Sequence, residues 1–252
     1  MIAALPMYDW PEIRSASDAF WAALRDRMLA AGFDAPEALT RGGERMALWT
    51  APDLLVAQTC GYPFATRLKD HVALIGTPAY AIGCAPGRYR SVIVAKNARW
   101  TLAELAGGCL AFNDRESQSG FQAPARLLAA SGIPFPRCML ETGAHRDSIR
   151  AVADGRADFA SIDAVTWELA RAHEPAAHDL TVIAETPETP GLPFITAIAN
   201  AGACLALADA VREAIAMLAL ADRKALLIEG FVETSPADYA ALAQPVSAAP
   251  AC

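Results

Sequence analysis

Short apolar runs alternate along the chain with segments whose apolar residues recur at helical spacing, and this alternation predicts an α/β fold. Ile2 to Leu5 reads as a first strand. Pro11 opens a helix on which Phe20, Leu24 and Met28 share a face, and Gly32 is placed to end it. Asp53 to Gln58 predicts a second strand, broken by Cys60-Gly61-Tyr62-Pro63. Three further strands are expected at His71 to Ile75, Tyr80 to Cys84 and Ser91 to Ala95, with Gly and Pro between them. A new series starts at Thr101: helix Leu102 to Ala106, strand Cys109 to Phe112, helices near Pro124 to Ala130 and Ser148 to Ala153, strand Asp158 to Ile162, helix Ala164 to Ala172 and strand Thr181 to Ala184. The Pro-rich Thr186 to Pro193 leads to a strand at Phe194 to Ile198, and two or three helices close the chain through Tyr239. This order predicts two lobes, the first made of residues 1–86 and 185–252, the second an insertion of 87–184. The tail QPVSAAPAC is expected to be loose.

Length and charge narrow the function classes. With 252 residues, 54% of them hydrophobic, the chain can bury a large core and reads as a globular, water-soluble protein. A net charge of -7 argues against a general nucleic-acid or membrane-surface binder, since both need a basic face. The amino terminus MIAALPMYDWPEIR has no basic segment followed by a long apolar one, so neither a secretory signal nor a membrane span is expected. The chain then reads as cytoplasmic as written, or as a mature form given a new Met1. Six cysteines without a Cys-x-x-Cys pair disfavour zinc and thioredoxin-type chemistry. They are expected as core thiols, with Cys252 in the tail, and no metal or cofactor is called for.

The segment from Cys109 to Gly132 carries the candidate chemistry. An apolar strand ends at Asn113-Asp114, and Ser117, Ser119 and Gly120 then offer hydroxyls and a bare amide where a helix opens, an arrangement suited to an anion. The same serines also suit helix capping, and Pro124 favours a later or kinked helix start. His145 precedes a second helix start and suits either a ligand contact or a helix-terminus role, while Arg146 reads as a solvated residue that could also steer an anion. Asp163 follows an apolar run, at the strand end where ligands of open α/β sheets gather, and is equally placed to cap the next helix. Beside an oxyanion its carboxylate would accept a hydrogen bond from a protonated oxygen or pair with an amine. Tyr8 and Tyr62 stand in loops after strands, where a phenol can reach a ligand or pack in a core. Thr186 and Thr189 could add a hydroxyl or belong to a stiff connecting loop.

Taken together, LPMYDWPE near the start, QTCGYPF at Gln58 to Phe64, NDRESQSG at Asn113 to Gly120, GAHRDSIRAVADGRADFASID at Gly143 to Asp163 and PGLPFIT at Pro190 to Thr196 resemble the phosphate/phosphite/phosphonate solute-binding proteins of ABC importers. The resemblance implies a two-lobed type II periplasmic-binding-protein fold whose lobes close by a hinge on a tetrahedral oxyanion held in the cleft between them. It implies ligand-binding roles for Tyr8, Tyr62, Ser117, Gln118, Ser119, Gly120, His145 and Asp163. It also implies an ABC permease as partner, a monomeric state, a periplasmic location and no catalysis, with the ligand open among phosphate, phosphite and phosphonates. Two alternatives stand beside it: a cytoplasmic or signalling oxyanion sensor of the same fold, and an enzyme using Cys60, His145 and Asp163 as a nucleophile set.

Overall fold

The expected alternation of strands and helices is realised as two five-stranded sheets, each in its own unit of the chain. The computed structural model describes residues 1–244 and 246; Cys252 and most of the tail expected to be loose lie outside the described residues. In chain order the strands are β1 (Ile2–Ala4), β2 (Leu54–Gln58), β3 (Val72–Tyr80), β4 (Arg88–Tyr89), β5 (Ser91–Ala95), β6 (Cys109–Phe112), β7 (Cys138–Glu141), β8 (Phe159–Asp163), β9 (Thr181–Glu185), β10 (Thr189–Pro190), β11 (Phe194–Ala197) and β12 (Ile228–Val232). One unit comprises Met1–Arg88 and Pro190–Ala243, the other Tyr89–Thr189 with Gln244. The chain thus crosses at Arg88/Tyr89 and Thr189/Pro190, downstream of the expected points and within the paired short strands β4 and β10. Gln244, expected in the first lobe, belongs to the second unit, where its carbonyl accepts Arg126 Nη2 at 2.9 Å.

The first unit's sheet runs β1-β2-β11-β3-β12, with β1 and β2 parallel and the other pairs antiparallel. The helix Arg14–Ala30 buries Phe20, Leu24 and Met28, the predicted stripe, together with Trp21. Two expectations fail here. Residues His71 to Ile75 and Tyr80 to Cys84 do not form separate strands: a single strand spans Val72–Tyr80, and residues 81–84 turn. Gly76 is no break. It sits at φ 150° where Phe231 of β12 lies so close that a Cβ would meet its ring at 2.6 Å. The second miss is β12 itself, which stands where only helices were expected.

The second unit's sheet runs β7-β6-β8-β5-β9. β6 pairs parallel with both β7 and β8, and β5 pairs antiparallel with β8 and β9. Parallel pairing sends the C-terminal ends of β6, β7 and β8 to one edge of the sheet, and antiparallel β5 begins at that edge, with Ser91 opposite Asp163. β7 escaped the sequence reading because it is an edge strand with little buried apolar surface. It also corrects the reading of the cysteines as core thiols, because Cys109 and Cys138 face each other across β6 and β7 in a disulfide. Among the described residues no helix is long and apolar enough to cross a membrane.

The disulfide closes a loop of sequence separation 29 that contains the serine turn. A cross-link of this span contributes about 3 to 4 kcal/mol by restricting the unfolded chain. Urea unfolding with and without reductant is expected to differ by this amount, and Cys109→Ser with Cys138→Ser should match the reduced protein. An unchanged midpoint would mean that the bridge adds nothing to stability.

Candidate functional site

The turn after β6 is built on backbone geometry that the sequence only hints at. Ser117 caps it, its hydroxyl accepting the Gly120 amide at 3.0 Å. Residues Gln118–Gln122 then wind as a wide π-type turn in which the Gln122 amide reaches the Ser117 carbonyl at 3.1 Å. Pro124 explains the widening: without an N–H it cannot close an ordinary helical bond to the Gly120 carbonyl, and the regular helix Ala123–Ala130 starts with Pro124 in its first turn. The Ser119 carbonyl points into the unit, where it accepts the hydroxyl of Ser161 on β8 at 2.7 Å and that of Ser91 on β5 at 3.1 Å. Both donors are fully buried, so each bond is made in a poorly screened setting.

Two further side chains converge on the turn. His145 begins the helix His145–Ala153, and its Nε2 lies 2.8 Å from Ser119 Oγ and 3.4 Å from Asp163 Oδ2. Asp163 ends β8 and uses its second oxygen, Oδ1, to accept the Thr166 amide at 2.9 Å, capping the helix Ala164–His173. The cap bond and the contact with His145 are thus made by the two different oxygens of one carboxylate. Ser117 Oγ stands 3.4 Å from Ser119 Oγ, so two hydroxyls, an imidazole and a carboxylate oxygen meet in one small volume. Gly120 is required here: a Cβ would fall 2.0 Å from Asn113 Oδ1 and 3.2 Å from His145 Cε1. Its amide, expected to be bare, is taken by Ser117.

Of the residues singled out in the sequence, Ser117, Ser119, Gly120, His145 and Asp163 come together in the second unit. Gln118 lies in the same turn, fully buried. Tyr8 and Tyr62 belong to the first unit. Tyr8 sets its ring edge-on to Tyr80 at 5.5 Å, and the Tyr62 carbonyl accepts the Thr66 hydroxyl at 2.7 Å. Cys60 is buried in the first unit, whereas His145 and Asp163 lie in the second. Thr186 has a structural bond, its hydroxyl accepting the Ser91 amide at 2.9 Å, and Thr189 lies in β10. Arg146, expected to be solvated, is instead tied to Glu174, with Nε 2.6 Å from Oε2. Ser91, Ser161 and Asn113 were missed. The signal for the first two was a lone hydroxyl in an otherwise apolar strand, as in FASID.

The family model for the periplasmic substrate-binding protein of phosphonate ABC transporters matches residues 52–239, well over half the chain. The chain belongs to this family. Membership gives it a small-molecule ligand and an ABC permease as the partners of its class. None of the curated proteins matches it in sequence. Among solved structures, it is similar to XAC2383 from Xanthomonas citri bound to ATP, at 14% identity over 96% of this chain and 95% of that one, with a TM-score of 0.72. PhnD1 from Prochlorococcus marinus in complex with methylphosphonate matches at 15% identity over 94% of each chain, TM-score 0.72. A binding protein component of an ABC phosphonate transporter from Pseudomonas aeruginosa, PA3383, matches at 17% over 91% and 80%, TM-score 0.61. At these identities the likeness extends to the fold, the α/β class expected from the sequence.

Gly120 supplies a test of the packing. Gly120→Ala drives a methyl group into Asn113 and His145 and should cost about 1 to 3 kcal/mol of unfolding free energy. Gly107→Ala, where nothing lies within 4 Å of the new Cβ, should cost less than about 0.5 kcal/mol. Chemical denaturation of the two variants checks the contrast, and equal effects would show that the turn gives way freely.

Proposed function

We propose that the turn at Ser117 to Gly120, with His145 and Asp163, holds a small phosphorus oxyanion (phosphate, phosphite or a phosphonate) for delivery to an ABC importer, and that the protein does no chemistry on it. The observation that carries this reading is the convergence of Ser117 Oγ, Ser119 Oγ and His145 Nε2 beside one carboxylate oxygen. Ser117 Oγ already accepts the Gly120 amide, which leaves its own proton to give to an anion. Ser119 Oγ becomes a donor in the same way when His145 Nε2 carries the proton between them. Hydrogen bonds to a charged phosphorus oxygen are the strong kind, and the two serine hydroxyls can each give one to a tetrahedral group. Asp163 Oδ2 then selects ligands that bring a proton or an amine.

The arrangement also argues for binding over hydrolysis. In a nucleophile triad the carboxylate holds the imidazole through the nitrogen opposite the nucleophile. Here Ser119 and Asp163 both address Nε2, so the carboxylate does not orient the ring for proton abstraction from the serine.

A thermal-shift screen against phosphate, phosphite, methylphosphonate, aminoethylphosphonate, ATP, sulfate and amino acids tests the proposal. The true ligand should add about 2.7 kcal/mol of stability at 100 times its Kd. A shift with amino acids alone would sink the reading. Ser117→Ala and Ser119→Ala should each weaken binding by roughly 1.5 to 3 kcal/mol. Asp163→Asn is expected to lower affinity for the phosphorus ligand and to raise the ratio of sulfate to phosphorus-ligand affinity, because a carboxamide can donate to a fully ionised oxyanion. Calorimetric titration of wild type and variant with both anions measures that ratio, and an unchanged value removes Asp163 from selection.

A further inference from the structure

We propose that Glu174 is a positioning residue for the anion site, acting through Arg146 and Arg150 on the helix that carries His145. The inference rests on the oxyanion reading for its affinity readout and on geometry alone for its effect on the His145 ring. His145 must be placed closely, since a displacement of about 1 Å would carry Nε2 beyond hydrogen-bond reach of Ser119 Oγ. Yet the helix it begins has Ala144 at its N-cap, which offers no side-chain cap, and Thr142 Oγ1 ties the Ala144 carbonyl and the Ser148 hydroxyl.

A longer-range tie comes from the next residue. Arg146 sends Nε to Glu174 Oε2 at 2.6 Å and Nη2 to the His173 carbonyl at 3.1 Å. One turn later Arg150 brings Nε and Nη2 to the same oxygen at 3.0 and 2.8 Å. The other carboxylate oxygen of Glu174 accepts the Ala176 amide at 3.3 Å. Glu174 is only 5% exposed and stands where the helix Ala164–His173 ends, the helix that Asp163 begins. One buried carboxylate therefore ties the start of the His145 helix to the end of the Asp163 helix, and the two site residues open those two helices. Burial alone would push the Glu174 carboxyl up, but the two guanidinium groups hold it below the usual carboxylate range. A buried carboxylate paired this closely is costly to disturb, because each partner left behind keeps its charge without compensation.

The test uses Glu174→Gln, Arg146→Lys, which keeps both charges but loses the planar fork, and Leu169→Ala, a core truncation on the helix Ala164–His173 that leaves the clamp in place. Methylphosphonate is the probe for titration calorimetry. Nuclear magnetic resonance of the ligand-free proteins follows the His145 Cε1–H signal, assigned with His145→Asn, and the Gly120 amide signal. Both clamp variants are expected to weaken binding about tenfold. They should displace the His145 signal while the Gly120 amide, in a turn held by Ser91 and Ser161, keeps its wild-type position. Leu169→Ala should lower the melting temperature and leave affinity and both signals unchanged. Wild-type affinity with an unmoved His145 signal in the clamp variants overturns the proposal. So does a joint displacement of the His145 and Gly120 signals, which is the mark of general loosening. If Glu174→Gln does not fold, Arg146→Lys decides. Should the wild-type protein bind no phosphorus oxyanion at all, the oxyanion reading falls and the ring signal alone decides the positioning role.

Discussion

The buried carbonyl of Ser119 is the fixed point of the second unit. Two hydroxyls from adjacent strands, Ser91 and Ser161, donate to it, and through it the serine turn is bonded to the middle of the sheet rather than left on a loop. With the carbonyl pointing inward, the Ser119 side chain is free to meet His145, and Ser117 folds over the Gly120 amide. Each of these bonds lies in buried surroundings, where leaving a group unpaired would cost about 1 to 3 kcal/mol, so the turn has few alternative conformations. The sheet topology makes it possible: three parallel strand ends and the start of one antiparallel strand share an edge.

An anion site in a protein of net charge -7 has to be made locally, and the proposed one would be made largely from neutral donors. The arginines nearest in sequence are engaged elsewhere. Arg115 lies over the rings of Phe112 and Phe121, at 5.8 and 5.6 Å from their centroids, and Arg146 is committed to Glu174. Hydroxyls and an imidazole would hold an oxyanion without the long-range attraction that a bare guanidinium extends to every anion.

The first unit braces one of the chain crossings. Tyr239 is buried, which pushes its phenol pKa upward and keeps it a donor to the Gly191 carbonyl at 3.0 Å, while Thr77 Oγ1 lies 2.6 Å from the Tyr239 hydroxyl oxygen. The Gly191 amide in turn meets the Gly87 carbonyl at 2.8 Å, beside the short strands where the chain passes from one unit to the other. In the second unit Thr186 and Ser91 exchange bonds just inside the same passage. Thr186 and Gly191 of the Pro-rich segment thus serve the crossing through hydrogen bonds to backbone groups.

Local pattern alone was enough to identify the α/β class, most of the buried strands, the helix carrying Phe20, Leu24 and Met28, and the serine turn as an anion-binding candidate. Each of these is encoded within a window of a few residues, by the period of apolar side chains or by the residue types at a strand end. Strands β7 and β12 were illegible because their pairing partners, not their own hydrophobicity, hold them in place. Gly76 and Gly120 look alike in sequence to any turn glycine, and only the rings and amide packed on them explain the absence of a side chain. The disulfide, the Glu174 clamp and the contact of Asp163 with His145 join residues far apart in the chain, as do the bonds of Ser91 and Ser161 to Ser119. Which distant groups meet is decided by strand order and register, a property of the assembled sheet that no local window of sequence contains.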